Sequence, residues 1–412
     1  MHHFEYRDGS LFAEEVSATK LAEEYGTPLY IYSAATFRRH FQAFDSAFKG
    51  LDHLTCFSVK ANSNLSVLRM LGEEGAGMDI VSGGELYRAL RAGIDPGKIV
   101  YSGVGKRESE IREALEARIL MFNIESVAEL HKINAVAEEM GTVAKVSFRI
   151  NPDVDAKTHP YISTGMAKNK FGLDIEHSLE AYKQAVELKN IDPVGMDCHI
   201  GSQLTSIDPF LEALDKLLNF YEKLKDIGVD IKYLDLGGGL GIPYDEEEPP
   251  HPTEFGQALV EKLKALPLKI ILEPGRVIAG NAGIMITEVV YTKSNPMKNF
   301  LIVDGAMNDL VRPSLYGSYH RIDEVEKNGR ETDIFDVVGP ICESSDFLAR
   351  DRELPKMEQG ERLVVFSAGA YGFTMASNYN TRPRACELIV DGDKVLVARK
   401  RETYEDLIEN EI

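Results

Sequence analysis

The pattern of apolar and polar positions changes once along the chain. Up to about Arg276, short apolar runs alternate with amphipathic segments of helical period, the order expected of parallel β/α units. The apolar runs predict strands at Thr55–Val59, Met78–Val81, Ile99–Ser102, Ile119–Ile124, Lys145–Ile150, Val194–His199, Tyr233–Leu236 and Ile270–Leu272. Between them, Ser82-Gly-Gly-Glu85 and Ser126-Val-Ala-Glu129 each place a hydroxyl and a carboxylate three residues apart, suited to the free amides of a helix's first turn. Gly93 and Gly141 predict where those helices stop. This α/β alternation points to a (β/α)8 TIM-like barrel, preferred to the open sheet that periodicity alone also allows.

From about Gly283 the texture is strand-like, without regular helices, at Ile284–Thr292, Phe300–Asp304, Asp333–Val338, Arg362–Ser367 and Ala385–Val397. That predicts a C-terminal antiparallel β domain. The early segment Gly26-Thr-Pro-Leu-Tyr-Ile-Tyr32 is also strand-like and is expected to join it. The expected division is a barrel over 36–282 and a β domain made of 1–35 and 283–412, which suits a chain of 412 residues. No Gly/Ser-rich or Pro-rich linker marks the boundary, and the acidic run Asp245-Glu-Glu-Glu-Pro-Pro250 reads as a solvated loop.

A formal net charge of −20 argues against nucleic acid or an anionic membrane surface as partner, since phosphate binding needs clustered Lys and Arg. No stretch is apolar for long enough to span a bilayer, and Met1 to Asp8 lacks the pattern of a signal peptide, so a soluble cytoplasmic protein is expected. Cys56, Cys198, Cys342 and Cys386 have neither zinc spacing nor the look of a disulfide framework. No metal is expected, and a catalytic role for a thiol stays open.

Barrel chemistry belongs at the C-terminal ends of the strands. Those ends carry Lys60-Ala-Asn62, Asp79 with Ser82-Gly-Gly84, Arg149-Ile-Asn-Pro152, His199-Ile-Gly-Ser-Gln203, Asp235-Leu-Gly-Gly-Gly239 and Glu273-Pro-Gly-Arg276. Lys60 ends a run expected to be buried, and a lysine in partly apolar surroundings becomes a nucleophilic amine fit for a Schiff base. Taken alone, it reads as a strand-end lysine snorkelling to water. Gly237-Gly-Gly239 lets backbone approach a phosphate, and with Pro274, Gly275 and Arg276 it falls where barrels commonly bind one. It departs from G-x-G-x-x-G, because Ile242 holds the last position, so a dinucleotide is disfavoured. Glu273 is placed to pair with a protonated pyridine nitrogen or, more plainly, with Arg276. His199 is a core histidine, a plate stacked on a cofactor ring or, least favoured, a metal ligand.

Together these motifs resemble the fold-type III pyridoxal phosphate decarboxylases, in the family's order, from Gly26-Thr-Pro-Leu-Tyr to Arg399-Lys-Arg-Glu402. Asp304 to Tyr316, Gly339-Pro-Ile-Cys-Glu-Ser-Ser345 and Gly369-Ala-Tyr-Gly372 are similar to the diaminopimelate decarboxylase branch. The resemblance implies pyridoxal 5′-phosphate on Lys60, His199 stacked on its ring and Glu273 at its nitrogen. It implies that Asp79 also belongs to the cofactor site, and that Gly237, Gly238, Gly239, Ser202, Pro274, Gly275, Arg276 and Tyr371 hold the phosphate end. It further implies substrate contacts from Arg276, Arg312, Tyr316, Glu343 and Tyr371, with Cys342 as proton donor. A head-to-tail homodimer is implied as well, Cys342 and Glu343 reaching the neighbouring subunit's site. Two details depart from the usual pattern: Asp304-Gly-Ala-Met307 stands where Asp-Ala-Gly-Met is commoner, and Ser367 where an Asp is frequent.

The expected reaction is decarboxylation of meso-2,6-diaminopimelate to L-lysine and carbon dioxide. The far end of that substrate is a second amino-acid group, which calls for a guanidinium and a carboxylate, and Arg312 and Glu343 supply them. By ordinary expectation Arg312 would be a surface ion pair and Cys342 a buried structural thiol. The alternatives are a decarboxylase of ornithine, arginine or lysine, a racemase on the same barrel, and a non-catalytic relative.

Overall fold

Every apolar run predicted in the first part of the chain becomes a strand of one closed parallel barrel, in chain order. The strands are His53–Ser58, Gly77–Ile80, Ile99–Tyr101, Met121–Ile124, Ala144–Arg149, Ile191–Asp197, Tyr233–Asp235 and Lys269–Leu272. The last pairs with the first, Ile271 opposite Leu54, which closes the ring and removes both sheet edges. This computed structural model describes residues 2–155 and 170–412. Contacts divide it into a barrel unit, 41–242 with 248–277, and a β unit, 1–40, 243–247 and 278–412.

The caps form with one change of detail. Ser82 and Ser126 accept from the amides of Glu85 and Glu129, each at 3.2 Å. The two glutamates reach one residue further back than a simple capping box, to the amides of Val81 and Glu125. Gly93 and Gly141 follow the helix ends with φ of +86° and +63°, the left-handed turn that glycine adopts without penalty.

Inside the barrel the alternation of period two sets two layers. Cys56, Val100, Met121, Val194 and Ile271, with Tyr233 against them, form an apolar plug. Two residues further along their strands come Ser58, Ser102, Asn123, Glu273 and Asp235, all buried. Asp197 follows Val194 by three, and a register shift between Pro193 and Gly195 absorbs the extra residue. The polar layer therefore rests on an apolar floor.

In the β unit the 12-residue strand Gly283–Ser294 is central. Its first half pairs with Leu29–Ser33 and Arg362–Val365, its second with Asn299–Val303. The early strand thus joins this sheet as expected, packing Leu29 and Ile31 with Ile284, Ile286, Val364 and Leu388. The sheet is antiparallel except at two pairings, Asn299–Val303 with Thr332–Val338 and Cys386–Asp391 with Leu29–Ser33. The run Ala385–Val397 is a hairpin rather than one strand, because Gly392 turns it at φ +64°. Phe347–Pro355 carries too many charges to read as a strand, which suits its place at the sheet edge. The short N-terminal ladder Phe4–Arg7, Ser10–Ala13, Val16–Ser17 also escapes a reading based on apolar runs.

One buried cation ties the barrel wall to its polar layer. Lys106 has a side chain only 1% exposed, and its Nζ donates to the carbonyls of Gly103 and Asn123 and to Glu129. Lys106→Met strands the Glu129 carboxylate and should cost roughly 3–5 kcal/mol. The check is the urea midpoint of the barrel transition; an unchanged midpoint would show that Lys106 does not secure this wall.

Candidate active site

Lys60 lies in the single 3-10 turn Val59–Ala61 that leaves the first barrel strand. Its Nζ is ion-paired with the Oδ2 of Asp79, and Ser58 donates to the same oxygen at 2.8 Å. Asp79 is fully buried, whereas the Lys60 side chain is 36% exposed. The expectation of partly apolar surroundings is corrected here: the amine is held by a carboxylate and opens towards solvent. The other oxygen of Asp79 makes no hydrogen bond, an orphaned buried acceptor beside an amine.

Beyond Lys60 the polar layer is acidic. Asn123 donates through Nδ2 to Asp235 at 3.0 Å and to Glu273 at 3.2 Å. Ser102 lies 3.4 Å from the same Glu273 oxygen. One oxygen from each of Asp197, Asp235 and Glu273 falls within 4.8 Å of the others. Burial pushes all three carboxyl groups well up from the usual range, and their mutual repulsion adds to it. Asn123 holds Asp235 and Glu273 side by side, and burial with the neighbouring like charge favours the protonated form of Glu273. The convergence of carboxylates was not foreseen from cysteine and histidine spacing. The Asn123 amide bridges two of them, Asp235 and Glu273.

Two loops at the same barrel end interlock. Gly237 has φ +63° and its amide donates to Asp235 Oδ1 at 2.9 Å. A Cβ on Gly238 would lie 2.2 Å from the Glu273 carbonyl oxygen, so only glycine fits against that strand end. The Gly238 amide donates to His199 Nδ1 at 3.1 Å, which leaves the proton of a neutral ring on Nε2. Burial, with Arg149 and Lys60 nearby, drives the His199 pKa well down, so the ring is an uncharged plate. Gln203 bonds both backbone groups of Ile242 and joins the His199 loop to the glycine loop. Arg276 donates to Ser202 at 2.9 Å, while the Pro274 carbonyl accepts from Ser58. Gly275 sits between them in the turn. These parts fit a ring with a phosphate: an open amine, a neutral plate, an acid for a ring nitrogen, and a glycine edge beside a guanidinium.

The remaining candidates lie in the β unit. Arg312 opens the short helix Arg312–Tyr316, yet it is 4% exposed, so it is not a surface ion pair. Its guanidinium lies 4.8 Å from the centre of the Tyr244 ring and donates to Ser318. Cys342 is exposed, which removes the buried structural reading, and Glu343 beside it is exposed too. Their loop is stapled by Asp346, which accepts from Ile341 and Met307, and Ser314 of the Arg312 helix donates to Ser345. Tyr371 adopts φ +55°. At the two departures the bonding is complete: Gly305 donates to Thr287, against which a Cβ would lie 2.9 Å away, and Ser367 accepts from Asn281 at 2.8 Å.

Asn123, Asp197, Ser58 and Ser102 escaped the reading of strand ends. For Asn123, Ser58 and Ser102 the available signal was a polar residue two places beyond an apolar inward one, whereas Asp197 stands three beyond Val194. Arg149 was noticed without a role. It pairs with Glu125 at 2.9 Å and donates to the His199 carbonyl, so it fixes the plate from behind.

Residues 34–280 match the family model described as pyridoxal-dependent decarboxylase, pyridoxal binding domain. The chain is 54% identical to the diaminopimelate decarboxylase of Haemophilus influenzae, over 99% of this chain and 98% of that one. It is similar to the solved diaminopimelate decarboxylase from Helicobacter pylori complexed with L-lysine, with TM-score 0.92, 44% identity and coverage of 95% and 98%. The enzyme of that name from M. jannaschii, also with L-lysine, gives TM-score 0.93 at 41% identity, covering 100% and 99%.

If the glycine edge is the phosphate cradle, Gly238→Ala should weaken pyridoxal phosphate binding by about tenfold or more, equivalent to roughly 1.4 kcal/mol. An absorbance titration at a fixed protein concentration measures it. Wild-type affinity in that variant would remove the cradle from this loop.

Proposed function

Because the chain belongs to the pyridoxal-dependent decarboxylases, we infer that it converts meso-2,6-diaminopimelate to L-lysine and carbon dioxide, the last step of lysine biosynthesis. It is a carboxy-lyase that uses pyridoxal 5′-phosphate. The observation that carries the reading is an amine at Lys60 and a buried carboxyl at Glu273 at one end of a closed barrel, beside a glycine edge.

The bound cofactor supplies an electron sink for the pair released when the Cα–carboxylate bond breaks. Lys60 offers the amine that holds it, with Asp79 aligning the nitrogen. His199 offers a neutral face for the ring, and its tautomer is set by Gly238. Glu273 would pair with the ring nitrogen. Ser202, Gly237, Gly238, Gly239, Gly275, Arg276 and Tyr371 would hold the phosphate end. Cys342 holds the proton that Cα needs after carbon dioxide leaves, and an exposed thiol can present it.

For the substrate, Arg312 takes the distal carboxylate, and Glu343 takes the distal ammonium. Tyr316 ends the Arg312 helix, and Tyr371 and Arg276 complete the set. A bare-amine substrate gains nothing from Arg312. The working assembly is a head-to-tail homodimer in which Cys342 and Glu343 of one subunit serve the site of the other; both are exposed in the single chain, as that arrangement needs. Among the described residues no helix is long and apolar enough to cross a membrane, and all four cysteines are free, which suits the reducing cytoplasm.

Purified protein with cofactor should release lysine from meso-diaminopimelate and no carbon dioxide from ornithine, arginine or lysine, as followed by amino-acid analysis. Lys60→Ala should abolish the activity, and a fully active variant would sink the mechanism. For the shared site, equal amounts of Lys60→Ala and Cys342→Ala subunits, inactive apart, should recover about a quarter of wild-type activity after mixing, because half the dimers then hold one intact site of two. No recovery in a mixture shown to exchange subunits would place each site within one chain.

A further inference from the structure

Asp235 ends the seventh barrel strand and Glu273 follows the eighth, both are buried, and one oxygen from each lies within 4.8 Å of the other and of an Asp197 oxygen. Asp235 cannot turn away, because Oδ1 accepts from the Gly237 amide and Oδ2 from Asn123. Asn123 also holds Glu273. Facing this pair are Lys60 and Cys56 from the first strand, Asp79 from the second, Glu125 and Arg149 from the fourth and fifth, and Asp197 from the sixth. The two cations among them are each engaged, Lys60 by Asp79 and Arg149 by Glu125. Asp197 keeps an oxygen with no hydrogen bond. The pair thus faces more acids than cations, and a proton is what balances it.

We propose that Asp235 is a positioning residue that keeps a proton stored on Glu273 until a cationic ring nitrogen docks there, so that cofactor binding expels that proton to water. The inference rests on reading Glu273 as the ring-nitrogen partner. The balance is simple: a pyridinium N–H brings one positive charge in, one O–H bond of the acid pair breaks, and one proton leaves, with no electrons transferred. Buried charge is the same before and after. In a site of low dielectric such an exchange is easier than adding a bare cation, or than holding three ionised carboxylates together beforehand. Asp235 also links the events spatially, since the oxygen that fixes the Gly237 amide belongs to the carboxyl that shares the proton.

The test is calorimetry on protein stripped of cofactor, with EDTA present throughout, near neutral pH where the free cofactor's ring nitrogen is protonated. Two ligands are compared, pyridoxal phosphate and its carbocyclic analogue with C–H in place of the ring nitrogen, each in buffers of different ionisation enthalpy. Wild type should release about one more proton per chain with pyridoxal phosphate than with the analogue. Asp235→Asn, which keeps the Gly237 bond but cannot hold the shared proton, should lose that difference. Equal proton counts with tighter binding of pyridoxal phosphate would overturn the inference and leave the Glu273 reading standing, as would an undiminished difference in Asp235→Asn. Equal affinity for the two ligands would remove the Glu273 reading and the inference with it. If the variant does not fold, the two-ligand comparison in wild type decides alone.

Discussion

The polar layer at the top of the barrel is the constraint from which the rest follows. A closed parallel barrel gives its inward side chains no water, so whatever stands two residues beyond the apolar plug must find partners within the ring. Asp79, Asp197, Asp235 and Glu273 stand there with few cations. Four such groups cannot all be charged at this separation, and the arrangement resolves the conflict in two ways. Lys60 pairs with Asp79, and burial with mutual repulsion shifts the others towards their protonated forms. The first makes a fixed, accessible amine. The second makes an acid able to meet a cationic ring.

The same layer shapes the backbone above it. Asp235 holds Gly237, Gly238 packs against the Glu273 carbonyl and sets the His199 tautomer, and Arg149 holds the His199 carbonyl while pairing with Glu125. Plate, acid and glycine edge are therefore one hydrogen-bonded body. Moving any of them moves the others, which is what a site needs if it is to keep a planar ring in one orientation.

Much of this was legible because the signals are local. Parallel strands buried on both faces appear as apolar runs, and Ser82 and Ser126 announce their helices by capping chemistry that works within four residues. The strand ends also displayed Lys60, His199, the glycine triplet and Glu273. What stayed hidden depends on neighbours distant in sequence. Asn123 looks like a stray polar residue until Asp235 and Glu273, more than a hundred positions on, close around it. Asp197 needs the register shift at Pro193 to point inward. Lys60 was expected in apolar company because its own strand is apolar, but its partner comes from the next strand. In the β unit the two parallel pairings depend on chain routing that alternation does not encode.

The barrel residues fix what kind of bond chemistry is done, and they carry no information about the far end of the substrate. In the proposed substrate site Arg312 would carry that information, and its burial decides how. A solvated guanidinium would accept a carboxylate but would lose little without one. Arg312 is 4% exposed, lies against the Tyr244 ring and donates to Ser318, so water is a poor substitute for a substrate carboxylate at that position. A substrate ending in a bare amine would bring a like charge to a buried cation. If Arg312 meets the distal carboxylate, selection for diaminopimelate over a simple diamino acid would come as much from that penalty as from the bond the correct substrate makes. A rigid, desolvated guanidinium suits this better than a flexible lysine, whose ammonium could withdraw to water and soften the penalty.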